Sequence, residues 1–167
     1  MSLLVLCRHV APDGEAAELA RRVATYEPDA VYASGLARAV RTADSFGLPV
    51  HVDDRLREID FGEVEGLGFD ELPAALQHEL LRSPTTVRFP GGETYVELRD
   101  RVVEALADIT ARHDRVAVVS HAGAIRAALA TYLLMEEAAL WRLDQRFGAV
   151  NVIELVEGVP LIRLVNG

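Results

Sequence analysis

Four short stretches of this sequence carry side chains able to do chemistry on an anion. Arg8 and His9 stand together at the end of an apolar run, in LCRHVAPDGEAA. Arg38 follows the small pair Ser34-Gly35, and the segment LREIDFGEVEG carries Glu58, Asp60, Glu63 and Glu65. His121 closes the valine-rich run RVAVVS and precedes Ala122-Gly123. Neutral imidazole is a competent nucleophile near pH 7, because its ordinary pKa is about 6.5. Guanidinium offers a planar fork of donors to an oxyanion, and a small-residue turn opening a helix offers unpaired N–H groups. A carboxyl group can hand over a proton and take one back. A histidine beside an arginine is ordinarily a surface pair, so placement has to decide.

The elements that must do the placing alternate between strand and helix patterns. SLLVLC reads as a buried strand, and Ala16, Leu19, Ala20, Val23 and Ala24 then share one face at helical spacing. DAVYAS is a second strand, followed by a helix from Leu36 to Phe46 with Leu36, Val40 and Ala43 inward. PVHV is a short third strand, and a polar segment runs from Asp53 to Gly68. FDELPAALQHELL reads as a helix with Pro73 in its first turn, where a missing N–H is tolerated. In GGETYVELRDRVVEALADI, Thr94 and Glu97 predict a capping box, and Tyr95, Leu98, Val102, Leu106 and Ile109 form the apolar stripe. RVAVVS is a strand and HAGAIRAALATYLL a turn running into a helix. AVNVIELV and PLIRLV, joined through Gly158, predict a terminal hairpin. Strands alternating with helices imply an α/β fold with a mostly parallel sheet, read as one domain over residues 1–167. Ligands of such sheets collect beyond the carboxyl ends of the strands, which is where Arg8-His9, Ser34 to Arg38 and His121 fall.

Composition removes several function classes. The net charge of −9 argues against nucleic acid, whose binding needs a basic face. All 17 basic residues are arginines, which excludes a P-loop lysine and a lysine Schiff base. Cys7 is the only cysteine, so neither an internal disulfide nor a cysteine zinc cluster is possible, and it reads as a small buried hydrophobe. No apolar run approaches the roughly 18 to 20 residues of a membrane span. MSLLVLC lacks the basic start of a signal peptide, so the expected location is cytoplasmic.

Five motifs in order, CRH, SGLARAVRTA, LREIDFGEVEG, PGGET and VSHAGAIR, make the chain from Leu6 to Arg126 resemble the histidine phosphatase superfamily, the phosphoglycerate mutase-like proteins. The resemblance implies a three-layer α/β/α sandwich and a phosphomonoester hydrolase working through phosphohistidine. It implies that His9 takes the phosphoryl group, and that Arg8 and Arg38 clamp the phosphoryl oxygens. It makes His121 a phosphate ligand and transition-state stabiliser beside the backbone of Ala122, and Glu58 the general acid and base. Asp60, Glu63 and Glu65 remain turn and surface acids, and Arg41 a solvated helix arginine. No cofactor and no metal is implied, and the expected partner is a small phosphorylated metabolite or phosphate.

The chain departs from the family pattern after His9, where Val10 replaces a glycine and Ala11-Pro12-Asp13-Gly14 runs straight toward a helix. Valine disfavours positive φ, so the backbone is expected to be extended, the loop over the site short and the pocket more open. The segments expected of a phosphoglycerate mutase are missing, which argues against mutase activity. Leu67 to Arg82 is expected to fold over the site as a lid, with Phe69, Leu72, Leu76 and Leu80 mostly in the core. Two other readings stay open: a phospho-ligand-binding module with weak chemistry, and a metal hydrolase, against which the lack of compact ligand spacing counts. Met135 and Trp141 fit either a dimer contact or the core, and the oligomeric state is not legible.

Overall fold

A computed structural model describes residues 1–167, with the side chains of residues 137 and 138 left out of the description. Six strands form one sheet in the order β3-β2-β4-β1-β5-β6. They are β1 (Ser2–Arg8), β2 (Ala30–Ala33), β3 (Val50–Val52), β4 (Arg115–Ser120), β5 (Val150–Val156) and β6 (Val159–Leu164). The first four in the spatial order run parallel, while β5 lies antiparallel to β1 and β6 antiparallel to β5. The helices are α1 (Ala16–Ala24), α2 (Ala37–Asp44), α3 (Ala74–Arg82), α4 (Tyr95–Thr110) and α5 (Ala122–Tyr132).

Strand alternation divides the core into two layers, one on each face of the sheet. Leu4 and Leu6 of β1 and Val116 and Val118 of β4 face Leu98, Leu106, Ile125 and Leu129 of α4 and α5. Val5, Cys7, Ala117 and Val119 face Leu19, Val23, Ala39 and Ala43 of α1 and α2. The result is the expected α/β/α sandwich. Cys7 is fully buried, and burial pushes its thiol up to about 12, which removes it as a reactive group.

Local patterns held where short-range forces set them. Thr94 Oγ1 accepts from the Glu97 N–H at 3.1 Å, and a Glu97 carboxylate oxygen accepts from the Thr94 N–H at 2.8 Å. All five residues of the predicted α4 stripe are buried. The β5–β6 hairpin turns at Glu157 and Gly158, both at positive φ, the geometry that suits the twist of two antiparallel strands.

Two helix readings need correction. In α2, Ala43 is buried and the half-buried Val40 packs against the same layer as expected, but Leu36 is the half-buried N-cap, and Ala39 and Thr42 are fully buried. Small side chains let α2 sit close to the sheet. The buried hydroxyl of Thr42 is satisfied, donating to the Arg38 carbonyl at 2.9 Å and accepting from the Val10 N–H at 3.2 Å. The predicted helix over 69–81 is split: Phe69–Glu71 makes a 3-10 turn, and α3 starts only after Pro73. Proline holds the residue before it out of the helical region, and Leu72 is extended with ψ 153°. Leu76, with Leu72 and Leu80 against it, packs into the α4–α5 core, and Phe69 stays exposed.

Candidate active site

The carboxyl ends of β1, β2 and β4 meet by register. Arg8 pairs with Ser120, and Ala33 with Val119, in two parallel ladders. The ladders extend one step further, with His9 N–H donating to the Ser120 carbonyl at 3.1 Å and Ser34 N–H to the Val119 carbonyl at 3.2 Å. Residues 9, 34 and 121 therefore come side by side. From β1 the chain crosses toward β2, and from β4 toward β5, so connections diverge here and open a crevice.

His9 is held as a neutral ring whose two nitrogens have different partners. Its Nδ1 lies 2.8 Å from the Val10 carbonyl, so Nδ1 carries the proton, and the bare Nε2 accepts from Arg38 Nε at 3.2 Å. Burial, then the nearby Arg38, Arg8 and Arg41, hold its pKa below the ordinary value, against the hydrogen bond to Val10, which raises it. The connection from β1 to α1 is short, as expected, with Gly14 N–H turning back to the Ala11 carbonyl at 2.9 Å. Yet His9 is only 6% exposed. The His121 and Phe147 rings lie 5.1 and 5.4 Å from its centroid, so the pocket is not open at its floor.

The cations are arranged around it. Arg8 lies over the Phe147 ring with Cζ 3.8 Å from the centroid, and Nη1 donates to the Gln145 carbonyl at 2.6 Å. Burial lowers the Arg8 pKa, against the attraction of Glu58. Arg38 is the second residue of α2, exposed, and reaches back to His9.

His121 caps α5 and is 1% exposed. Its Nε2 lies 2.7 Å from Ser34 Oγ, whose other contact is the donor N–H of Leu36 at 3.4 Å. The Ser34 hydroxyl proton thus has His121 as its acceptor, which leaves the neutral imidazole with its proton on Nδ1. Burial, followed by Arg38, His9, Arg8 and Arg101, lowers its pKa to about 3. Among the described residues, the buried side-chain polar atoms without a partner are Arg8 Nε and His121 Nδ1. A buried donor left unpaired costs about 1–3 kcal/mol, and both belong to residues at adjacent strand ends.

Glu58 sits against the start of α5. Oε2 accepts from the Gly123 N–H at 3.1 Å and Oε1 from the Ile59 N–H at 3.0 Å. Asp60, Glu63 and Glu65 are exposed, and Ala122 opens the helix. The Glu58 segment is fastened by Arg101 of α4, which donates to the carbonyls of Arg55, Arg57 and Glu58 at 2.8, 2.8 and 3.0 Å and pairs with Glu93. From Arg38 and Glu58 a groove of about 430 Å³ opens toward Asp54, Arg57 and Glu65. None of the described residues in 67–82 lines it; the segment expected as a lid is mostly exposed and is anchored on the core through Leu72, Leu76 and Leu80. The structure thus brings together His9, His121, Arg8, Arg38, Glu58 and Ala122. Sequence reasoning missed Ser34, Arg101 and Phe147. Ser34 lay inside a recognised motif, whereas nothing in the local pattern marked the other two.

Among the described residues no group of three or more His, Cys, Asp or Glu is placed to hold a metal ion. No described helix is long and apolar enough to cross a membrane.

Comparison with known proteins gives a consistent set of likenesses. The pattern of the histidine phosphatase superfamily (branch 1) matches residues 13–167, starting just beyond His9. A bifunctional protein of Mycobacterium tuberculosis is 35% identical over 152 residues, 82% of this chain and 40% of its own length. The chain therefore spans about two fifths of that relative. Phosphoserine phosphatase 1 of Hydrogenobacter thermophilus is 29% identical over 157 residues, 89% of this chain and 74% of that protein. Among solved structures, YhfR of Bacillus stearothermophilus superposes with a TM-score of 0.88 at 25% identity, covering 98% of this chain and 96% of the other. A mutant phosphoserine phosphatase of Entamoeba histolytica, in complex with phosphoserine, shares the fold with a TM-score of 0.86 at 22% identity, over 100% and 98% of the two chains.

Proposed function

The chain belongs to the histidine phosphatase superfamily, and from that premise we propose that it is a metal-independent phosphomonoester hydrolase acting through a phosphohistidine on His9. The observation that carries the reading is the pair of unpartnered buried donors, Arg8 Nε and His121 Nδ1, at the strand ends that also hold His9. A phosphoryl group at that point receives both. Arg38 turns its N–H groups from His9 onto the equatorial oxygens, which frees the Nε2 lone pair. Charge spread over those oxygens is what guanidinium groups and the N–H of Ala122 are suited to hold.

His9 Nε2 attacks phosphorus in line, and the bond to the leaving oxygen breaks with its electron pair. Glu58, as the acid, delivers its proton to that oxygen and leaves as carboxylate. The carboxylate then takes a proton from water, whose oxygen attacks the phosphorus of phosphohistidine and returns His9 Nε2 with its lone pair. Phosphate departs and Glu58 is protonated again. General acid–base help of this kind is worth about 10²–10⁴ in rate. Small phosphorylated metabolites are the proposed substrates, in keeping with the relative named as a phosphoserine phosphatase.

The test is hydrolysis of p-nitrophenyl phosphate in EDTA, with His9→Ala and Glu58→Ala alongside. Wild type should turn over, His9→Ala should be inactive, and a base quench should trap acid-labile phosphohistidine only where His9 is present. Phosphate binding without labelling of His9 by any phosphomonoester would favour a binding module over an enzyme.

A further inference from the structure

The position of Glu58 says which way the leaving group must point. A general acid has to reach the departing oxygen, so the rest of the substrate lies on the Glu58 side of the phosphoryl group. That space is the groove of about 430 Å³ walled by Arg38, Glu58, Asp54, Arg57, Asp60 and Glu65.

Its charges are unequal once those already committed are set aside. Arg101 is neutralised by Glu93 and tied to three carbonyls. Arg38 serves the phosphoryl group, and Glu58 carries the proton in transit. Asp54, Asp60 and Glu65 remain against Arg57, and all four are exposed. Asp60 is turned toward the Gly62 N–H at 2.9 Å. The Asp54 carboxylate lies close over Gly35, in the space a Cβ there would occupy, beside the start of α2. The cleft is thus polarised: donors and cations hold the phosphoryl group, and net negative charge lies where the leaving group goes.

Resting on the hydrolase reading above, we propose that the preferred substrates are phosphomonoesters of amino alcohols, their ammonium held by Asp54 and Glu65, and that leaving groups bearing a carboxylate are disfavoured. An ammonium beside two partly solvated carboxylates gains, and a carboxylate in the same place loses, enough to separate the two by about tenfold or more.

The experiment compares three phosphomonoesters of similar size: phosphoethanolamine, 2-hydroxyethyl phosphate and phosphoglycolate. kcat/KM should fall in that order, by about tenfold or more from first to last, and the spread should shrink as salt is added. Asp54→Asn, Glu65→Gln and the double variant should compress the spread toward unity. If p-nitrophenyl phosphate is hydrolysed but phosphoglycolate matches or exceeds phosphoethanolamine, the substrate assignment is overturned while the hydrolase reading stands. An ammonium preference that persists unchanged in the double variant overturns the roles of Asp54 and Glu65. If neither p-nitrophenyl phosphate nor any of the three esters turns over, the hydrolase reading itself fails and takes the assignment with it.

Discussion

Gly123→Ala moves the proposed acid without altering its chemistry. A Cβ at position 123 would lie about 1 Å inside the 3.4 Å at which ordinary contact with Glu58 Oε1 begins, and 3.2 Å from the Tyr95 hydroxyl. Gly123 is in the first turn of α5 and not at positive φ, so alanine brings no backbone strain and favours the helix by up to about 1 kcal/mol. The Glu58 carboxyl is the free end of a flexible side chain and can retreat. Net stability should therefore change by no more than about 1 kcal/mol. The retreat breaks the 3.1 Å bond from the Gly123 N–H and takes the carboxyl about 1 Å from its place. Misplacement on that scale costs about 100-fold in rate. The assay is kcat on an alkyl phosphate and on p-nitrophenyl phosphate, with thermal unfolding of both proteins. The alkyl ester, whose alkoxide needs the proton, should lose about 100-fold. The aryl ester should phosphorylate His9 more readily than it is released, so base-quenched phosphohistidine should accumulate. A variant with wild-type kcat on the alkyl ester would refute the placement of Glu58, as would a loss explained wholly by unfolding.

Ser34→Ala removes the partner that keeps the His121 proton on Nδ1, so inhibition by inorganic phosphate should weaken about tenfold and imidazole ¹⁵N shifts should show mixed tautomers. An unchanged inhibition constant would contradict that role. Arg101→Lys cannot reproduce the planar fork that reaches three carbonyls, and should cost about 1.5–3 kcal/mol in urea unfolding together with a fall in kcat as the Glu58 segment loosens. His121, held neutral with a folded pKa of about 3, contributes stability that is fully present above about pH 6.5 and erodes as pH falls from there toward 3. The loss should reach about 5 kcal/mol at most, and His121→Gln should flatten that part of the pH profile relative to wild type.

Much of the fold is legible in the chain because the forces that write it are local. The Thr94–Glu97 capping box lies within one turn and the α4 stripe repeats every three or four residues along one helix, and both stand as read. The polar strand ends were legible for a related reason: a buried strand must stop where charged residues begin, so Arg8-His9 and His121 had to sit at its rim. Where reading failed, packing against distant chain was decisive. Hydrophobicity picked out Leu36, Val40 and Ala43 as the inward face of α2; Val40 and Ala43 do pack on the core, but a close approach to the sheet buried Ala39 and Thr42 as well, which hydrophobicity did not mark. The pairing of Arg8 with Ser120 is a register between residues 112 positions apart, and a slip of one would point the strand's side chains to opposite faces. That register puts His9 against His121, and the separate pairing of Ala33 with Val119 sets Ser34 beside His121, whose proton is thereby left on Nδ1. The residue types able to handle a phosphoryl group are written in the sequence. The His121 tautomer, its lowered pKa and the polarity of the groove come from burial and long-range contact, which no local pattern encodes.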